Sequence, residues 1–441
     1  MKDNKMATMP ILPMLIKMSL PPMFSMFIAS MYNIIDSMYV SSLGEYALSA
    51  VSLVFPVQNL ILAFAVGIGV AINALIARNL GAKDLTKASI VASNGFLITL
   101  AFSILFGIIG LTCMPWFFGL FVEDVLILDN AIIYGQIVCT LTFGQMYHLY
   151  YEKIFQAKGD MLTPMLMQLL GAFLNIILDP IFIFGIGGYL KFGVAGAAIA
   201  TVIGQISSFL LGWYIFKKKE KQIKLSFKEH LDFNVMKQII GITIPVALMM
   251  ALPSIVVSLL NSILVSISAT ALAFFGIYYK VSSFVLMPAN GIIQGMRPLI
   301  GFNHGAMLQQ RVGQIIRYSI LCVGLILSFG GLLMIVTPQF LLGLFNAGEE
   351  MLNIGIPGLR ILGIATIIST FGIVYTGVFE SLGKGNYSLI VSLLRQFIIL
   401  LPAIFILLPH IGIHAIWISY ILSESFGGLC SYLFYKRIQM H

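Results

Sequence analysis

Twelve stretches of mostly apolar residues follow one another along this chain, near 14–39, 48–77, 86–112, 131–155, 162–185, 194–216, 239–267, 271–300, 313–337, 354–380, 387–409 and 413–435. Each has the length that crosses a bilayer core, roughly 20 helical residues. Inside lipid no water meets the backbone N–H and C=O groups, so only helices or closed barrels satisfy them. Unbroken apolar runs, in place of ten-residue alternation, select helices. Composition agrees: 59% of residues are hydrophobic and 10% charged, with a mean hydropathy of +1.00. A soluble domain carries about 25% charged residues. The expectation is an all-α integral membrane protein of about twelve transmembrane helices. No cleavable signal peptide is read at the N-terminus, and the first apolar run counts as a membrane helix.

The charges order the loops. Lys2, Lys5, Lys436 and Arg437 mark the termini, and Arg78, Lys83, Lys87, Lys153, Lys158, Arg311, Arg317 and Lys384 mark one set of loops. A central segment adds Lys217, Lys218, Lys219, Lys221, Lys224, Lys228 and Lys237. The alternate loops hold Glu45, Glu123, Asp124, Asp129, Glu349 and Glu350, with Lys191 their main basic residue. Basic loops stay inside, so both termini are expected in the cytoplasm of a multi-pass inner (plasma) membrane protein. This asymmetry accounts for the net charge of +8 without a nucleic-acid partner. The basic central segment reads as a solvated linker touching anionic headgroups.

That segment divides the chain into an N-terminal lobe at 1–216, a cytoplasmic linker at 217–237 and a C-terminal lobe at 238–441, six helices per lobe. The halves resemble each other. The offset that carries Pro21 onto Pro245 also pairs Ser30 with Ser254, Ala47 with Ala271, Gly67 with Gly291, Asn79 with Asn303 and Gly81 with Gly305. A constant offset through Pro, Gly and Asn marks an internal repeat. With an even number of helices each, the repeats are parallel and related by a pseudo-two-fold axis along the membrane normal, a design found in transporters.

Charged side chains inside apolar spans are costly, which makes them functional candidates. Asp36 and Asp179 fall at similar depth in the first lobe, with Asn33 and Asn175 on their respective helix faces. Two nearby carboxylates in low dielectric cannot both ionise cheaply, so one takes a proton or a cation neutralises the pair. By the repeat offset Asp36 maps to Leu260 and Asp179 to about Ala403, so the second lobe lacks this pair. Arg395 and Glu424 read first as an ion pair, and with Lys280 as weaker candidates for a substrate cavity or gate. Glu380 sits near a cytoplasmic helix end and reads as solvated. Pro21 and Pro22 remove backbone hydrogen bonds and serve as a candidate hinge. No Walker A, HExxH or Cys/His metal cluster is present, which argues against ATP-driven transport and metalloproteolysis. No reactive constellation points to an enzyme, and Cys113, Cys139, Cys322 and Cys430 have no redox or metal spacing.

The stretch Leu20-Pro21-Pro22 … Tyr32-Asn33-Ile34-Ile35-Asp36-Ser37-Met38-Tyr39 resembles the first helix of the multidrug and toxic compound extrusion (MATE) family. So do Ala77-Arg78-Asn79-Leu80-Gly81-Ala82, Asn175 … Asp179-Pro180, Gly193-Val194-Ala195-Gly196, and Gly301-Phe302-Asn303-His304-Gly305-Ala306. The resemblance implies a two-lobed exporter driven by H⁺ or Na⁺. It makes Asp36 the coupling residue, joined by Asp179, Asn175, Tyr134 and, more weakly, Thr201. Family members with coupling acids in helices 7 and 10 have no full match here, because helix 7 lacks one near Leu260. The expected substrates are amphipathic or cationic small molecules, with a lipid-linked saccharide flippase as the alternative. The protein is expected to be a monomer without cofactor or bound metal, with H⁺ favoured as coupling ion and Na⁺ at Asp36 and Asp179 the alternative.

Overall fold

A computed structural model describes residues 5–185, 191–226 and 231–439. It is helical throughout its regular structure. Among the described residues ten helices are long and apolar enough to cross a membrane: helix 1 (Ile11–Ser41), helix 2 (Glu45–Gly81), helix 3 (Leu85–Gly119), helix 5 (Leu162–Phe184), helix 6 (Val194–Lys219), helix 7 (Phe233–Ile267), helix 8 (Ala269–Gly305), helix 9 (Gln309–Val336), helix 10 (Glu349–Ser381) and helix 11 (Gly385–Ile411). Helix 4 is a pair, Val125–Thr140 and Phe143–Ala157, bent by 41°. Helix 12 (His414–Gln439) has 26 residues, a length of about 39 Å at 1.5 Å per residue. The twelve expected spans are therefore all present as helices.

The outward faces suit lipid. Phe27, Trp116, Phe173, Phe329 and Phe405 are 52–69% exposed, which water would not tolerate over so many large side chains. Hydroxyls on the helices turn back onto their own backbones: Ser37 donates to the Asn33 carbonyl at 2.8 Å, Thr112 to Ile108 at 2.8 Å and Thr376 to Gly372 at 2.7 Å. Such back-bonding satisfies a polar group where lipid cannot.

The repeat is visible in the turns. Helix 2 ends with Lys83 at φ 61° and helix 8 with Met307 at φ 60°, two positions related by the offset of Pro21 and Pro245. In both, the residue after the left-handed one donates back across the turn, Asp84 to Asn79 and Leu308 to Asn303, each at 2.9 Å. Gly159 (φ 82°) and Gly383 (φ 72°) repeat the motif after helices 4 and 10. These are Schellman closures, in which a left-handed residue lets the last carbonyls find donors. Two non-glycine residues accept that conformation at equivalent positions.

The chain forms two compact units, one of Phe24–Ala247 with His304–Met307 and one of the remaining described residues. The breaks after Met23 and after Ala247 fall at equivalent positions of the repeat. Each unit thus takes in the start of the helix that opens the other half. Within the first unit, a Cβ on Gly67 would lie 2.7 Å from the Thr243 carbonyl oxygen, so helix 2 and the start of helix 7 touch backbone to backbone. Within the second, a Cβ on Gly291 would collide with Met23 Cγ, and one on Gly295 would lie 2.5 Å from Ser19 Oγ. Glycine at these crossings is what permits the approach. Pro21 and Pro22 lie inside helix 1, immediately before the residue where it passes from one unit to the other.

One sequence reading is refined and two change. The segment after helix 6 is docked: the Lys224 and Ser226 N–H groups donate to Ser89 and Ser93 Oγ at 3.1 Å, and the Asp232 N–H to Asn94 Oδ1 at 3.2 Å. Hydroxyls and an amide on helix 3 supply acceptors that a free linker would take from water; Lys228 and Lys2 lie outside the described residues. Glu380 is 1% exposed and ion-paired with Arg297, so it is buried instead of solvated. Lys153, expected in a loop, is 5% exposed; its Nζ donates to Glu152 Oε1 at 2.7 Å and Gln156 Oε1 at 3.0 Å. A partner carries each charge inside, from another helix for Glu380 and from the same helix for Lys153.

Candidate functional site

The first unit assembles its acids by close helix packing. A Cβ on Gly204 would lie 2.7 Å from the Gly171 carbonyl oxygen, and one on Gly171 3.0 Å from that of Gly204. A Cβ on Gly196 would collide with the Phe182 carbonyl oxygen. Helices 5 and 6 therefore meet along a glycine seam, the small-residue contact typical of membrane helices. That contact brings Thr201 on helix 6 to Asn175 on helix 5, with Asn175 Nδ2 donating to Thr201 Oγ1 at 3.4 Å. The same amide donates to Asp179 Oδ1 at 3.3 Å, one helical turn along.

Asp179 is fully buried and faces the partly buried Asp36 of helix 1, the two carboxyls lying within reach of each other. The Tyr134 hydroxyl on helix 4 is buried and within electrostatic range of both acids, beside Gln58 of helix 2. Tyr32, one turn before Asp36 on helix 1, completes the group. Asp36 Oδ1, Asp179 Oδ2 and Asn175 Oδ1 are buried and receive no hydrogen bond from the described residues. Among the described residues no lysine or arginine forms an ion pair with either acid. Acceptor oxygens gathered in a low-dielectric site favour a proton or a small cation.

Asp36, Asp179, Asn175, Tyr134 and Thr201 are thus brought together. Asn33 is not: it is exposed, and its Nδ2 donates to the Ala29 carbonyl of its own helix at 2.8 Å. Tyr32 and Gln58 were missed from sequence. The spacing of Tyr32 four residues before Asp36 carries a signal, whereas Gln58 is a neutral residue on another helix and carries none.

In the second unit Arg395 Nη2 meets both Glu424 oxygens, at 2.5 and 2.6 Å, so the expected ion pair is present. Lys280 is not with them. It is exposed, and its Nζ lies 6.0 Å from the Phe345 ring centroid. Helix 8 turns Tyr278 and Tyr279 toward the Arg395 cavity and leaves Lys280 outside it. Leu260, the repeat counterpart of Asp36, is fully buried in an apolar core with Phe274, Leu359 and Trp417.

Known proteins share the fold and the family pattern of this chain. The MatE family pattern matches twice, over residues 21–181 and 245–406, and the two matches begin at the paired prolines, Pro21 and Pro245. The chain is 25% identical over 444 aligned positions to the multidrug export protein MepA of Staphylococcus aureus strain MSSA476, covering 98% of this chain and 96% of that protein. It is likewise 25% identical to MepA of Staphylococcus haemolyticus, covering 94% and 90%. Among solved structures, an outward-facing multidrug resistance MATE family transporter of the MOP superfamily superposes with a TM-score of 0.90 at 25% identity, covering 100% of this chain and 98% of that one. A MOP superfamily transporter from Pyrococcus furiosus gives the same TM-score at 26% identity over the same shares of the two chains.

Proposed function

This chain belongs to the MatE family of multidrug efflux transporters, and from that premise we propose that it is a secondary antiporter exporting amphipathic or cationic small molecules in exchange for H⁺. The observation that carries the reading is the pair of facing carboxyls, Asp36 and Asp179, with buried acceptor oxygens and no ion-paired cation among the described residues. A proton on this pair and a cationic substrate compete for the same negative charge, which is the requirement for exchange. Na⁺ is the alternative ion. It asks for several oxygen ligands, and Asn175, Thr201 and the two acids supply a partial set.

The protein works as a monomer in the plasma membrane with both termini in the cytoplasm, and it needs no cofactor. Its partners are its small-molecule substrates and the surrounding lipid. The MepA relatives are multidrug export proteins, which supports the substrate class. The test is efflux of ethidium from vesicles under an imposed H⁺ or Na⁺ gradient. Wild type is expected to export with an H⁺ gradient alone. Export that continues on a Na⁺ gradient and stops without Na⁺ overturns the choice of ion, and no export under either gradient overturns the substrate class.

A further inference from the structure

The second unit contains a cavity of about 230 Å³ whose wall holds Arg395, Gln396, Glu424, Tyr278 and Tyr420. It is separate from the Asp36–Asp179 site, and every residue lining it belongs to the second unit. Arg395 is set there by the backbone. It lies in a π-helical segment, Leu394–Leu400, within helix 11; such segments displace a carbonyl from the helical ladder and recur at functional sites. The Ser423 hydroxyl donates to the Arg395 carbonyl at 2.6 Å. Two glycines clear a path for the side chain: a Cβ on Gly427 would collide with Arg395 Cγ, and one on Gly372 would lie 3.2 Å from Nη1.

The polar atoms of this wall are incompletely matched. Arg395 gives only Nη2 to Glu424, at 2.5 and 2.6 Å, and its buried Nε meets no acceptor among the described residues. Gln396 Oε1 is likewise buried and without a donor. The cavity thus offers a guanidinium Nε that lacks an acceptor, and a carboxylate and an amide oxygen that accept donors. Its fixed charges sum to zero. A ligand of net charge would leave an uncompensated charge inside the membrane, which is costly. Tyr278 and Tyr420 face each other edge-on, with centroids 6.2 Å apart, and add aromatic surface beside the ion pair. The volume is below the roughly 300–1,000 Å³ of drug-sized pockets.

We propose that this cavity is a second ligand site, which takes a small zwitterion with a carboxylate, an ammonium group and an apolar or aromatic body, of the size of an amino acid. The ligand carboxylate completes the Nε–Nη2 edge of Arg395 in the two-point geometry that guanidinium groups favour. The ligand ammonium meets Glu424 and Gln396 Oε1. The body lies against the tyrosines. The pair is split and each half re-paired, so no net charge is buried. This site is independent of the exchange reaction given to Asp36 and Asp179.

The test is calorimetric titration of the purified full-length protein in detergent with L-phenylalanine, phenethylamine and 3-phenylpropionate. Wild type is expected to bind L-phenylalanine with a Kd below about 1 mM. The two single-charge analogues should bind at least about tenfold more weakly, since each leaves one buried partner unmatched. Arg395→Lys, which keeps the charge without the two-point edge, should also weaken L-phenylalanine by about tenfold. The neutral double variant Arg395→Gln/Glu424→Gln should lose binding at unchanged thermal stability, and Asp36→Asn should bind as wild type does. The proposal is overturned if wild type shows no binding at that concentration, or if either analogue binds as tightly as the zwitterion. Undiminished binding by the Arg395 variants, or loss of binding in Asp36→Asn, overturns it as well.

Discussion

The two halves of this chain are built on one pattern and diverge at equivalent positions. The first half places Asp36 where the second has Leu260, and the acid faces another acid while the leucine packs in an apolar core. Near the other end of the bundle the preference reverses. Arg297 and Glu380 form a buried ion pair at the positions that correspond to Asn73 and Gln156, both neutral. Even a packing contact is inverted: Gly69 makes room for the Lys153 stem, whereas its counterpart Ile293 is accommodated by Gly377, the counterpart of Lys153. A duplicated scaffold therefore keeps its turns and crossings while the chemistry moves from site to site. The half that holds the acid pair is the one to which ion exchange is assigned in the proposed function.

Exchanging residues between equivalent positions tests this contrast. The largest effect is expected from Leu260→Asp, which puts a charge into the apolar core formed with Phe274 and Leu359. A charge in a membrane helix costs about 2.5–3.5 kcal/mol or more, so the variant should insert poorly or unfold at a much lower temperature in a detergent melt. Removing one side of the second half's ion pair, Arg297→Ala, should cost about 3–5 kcal/mol, because Glu380 stays buried without its partner. The double variant Arg297→Asn/Glu380→Gln restores the residues of the first half at both positions. It should melt much closer to wild type, and equal loss from the single and double variants would break the equivalence.

How far the sequence alone reached follows the same contrast. Asp36 and Asp179 stood out because a carboxylate in an apolar run has no local explanation, and the structure brings them together. Glu380 and Lys153 were misplaced because closeness to a helix end looks like access to water. Glu380 depends on Arg297 in helix 8, and the Lys153 stem needs the space left by Gly69 in helix 2, neither of which is local; the charge partner of Lys153, Glu152, is its own neighbour. Lys280 erred in the opposite direction: hydropathy puts it inside a span, but the rotation of helix 8 turns it out of the cavity. The repeat offset was legible from Pro, Gly and Asn. That it would also fix the left-handed turns at Lys83 and Met307 was not, since neither residue favours that conformation.

Two smaller effects refine the comparison. Gly377→Ala should cost about 1–3 kcal/mol through overpacking, because its Cβ would lie 2.7 Å from Ile293 Cγ2, a stiff β-branched group. Gly69→Ala should cost less, since the atom met at 2.6 Å belongs to the flexible Lys153 stem. At the start of helix 3, Asp84 accepts from the Lys87 N–H at 2.9 Å, and that hydrogen bond holds its carboxyl below the usual range. Its counterpart Leu308 caps helix 9 without a side-chain bond. Asp84→Ala should lower stability by about 0.5–2 kcal/mol at neutral pH and Leu308→Asp raise it by a similar amount. A depressed carboxyl contributes its stability above the unfolded pKa and loses it as pH falls through the folded one. The Asp84 difference should therefore fade below about pH 4, as thermal melts across pH will show.

The central claim is that the Asp36–Asp179 pair of the first half exchanges a proton for a substrate. Its most direct test is proton release when ethidium binds the purified protein in weakly buffered detergent solution. Wild type should release about one proton per ethidium bound, because the pair shares one proton and the cation takes its place. Asp36→Asn and Asp179→Asn should each release far fewer. Undiminished release from the double variant Asp36→Asn/Asp179→Asn would contradict the account and move the coupling site elsewhere in the protein.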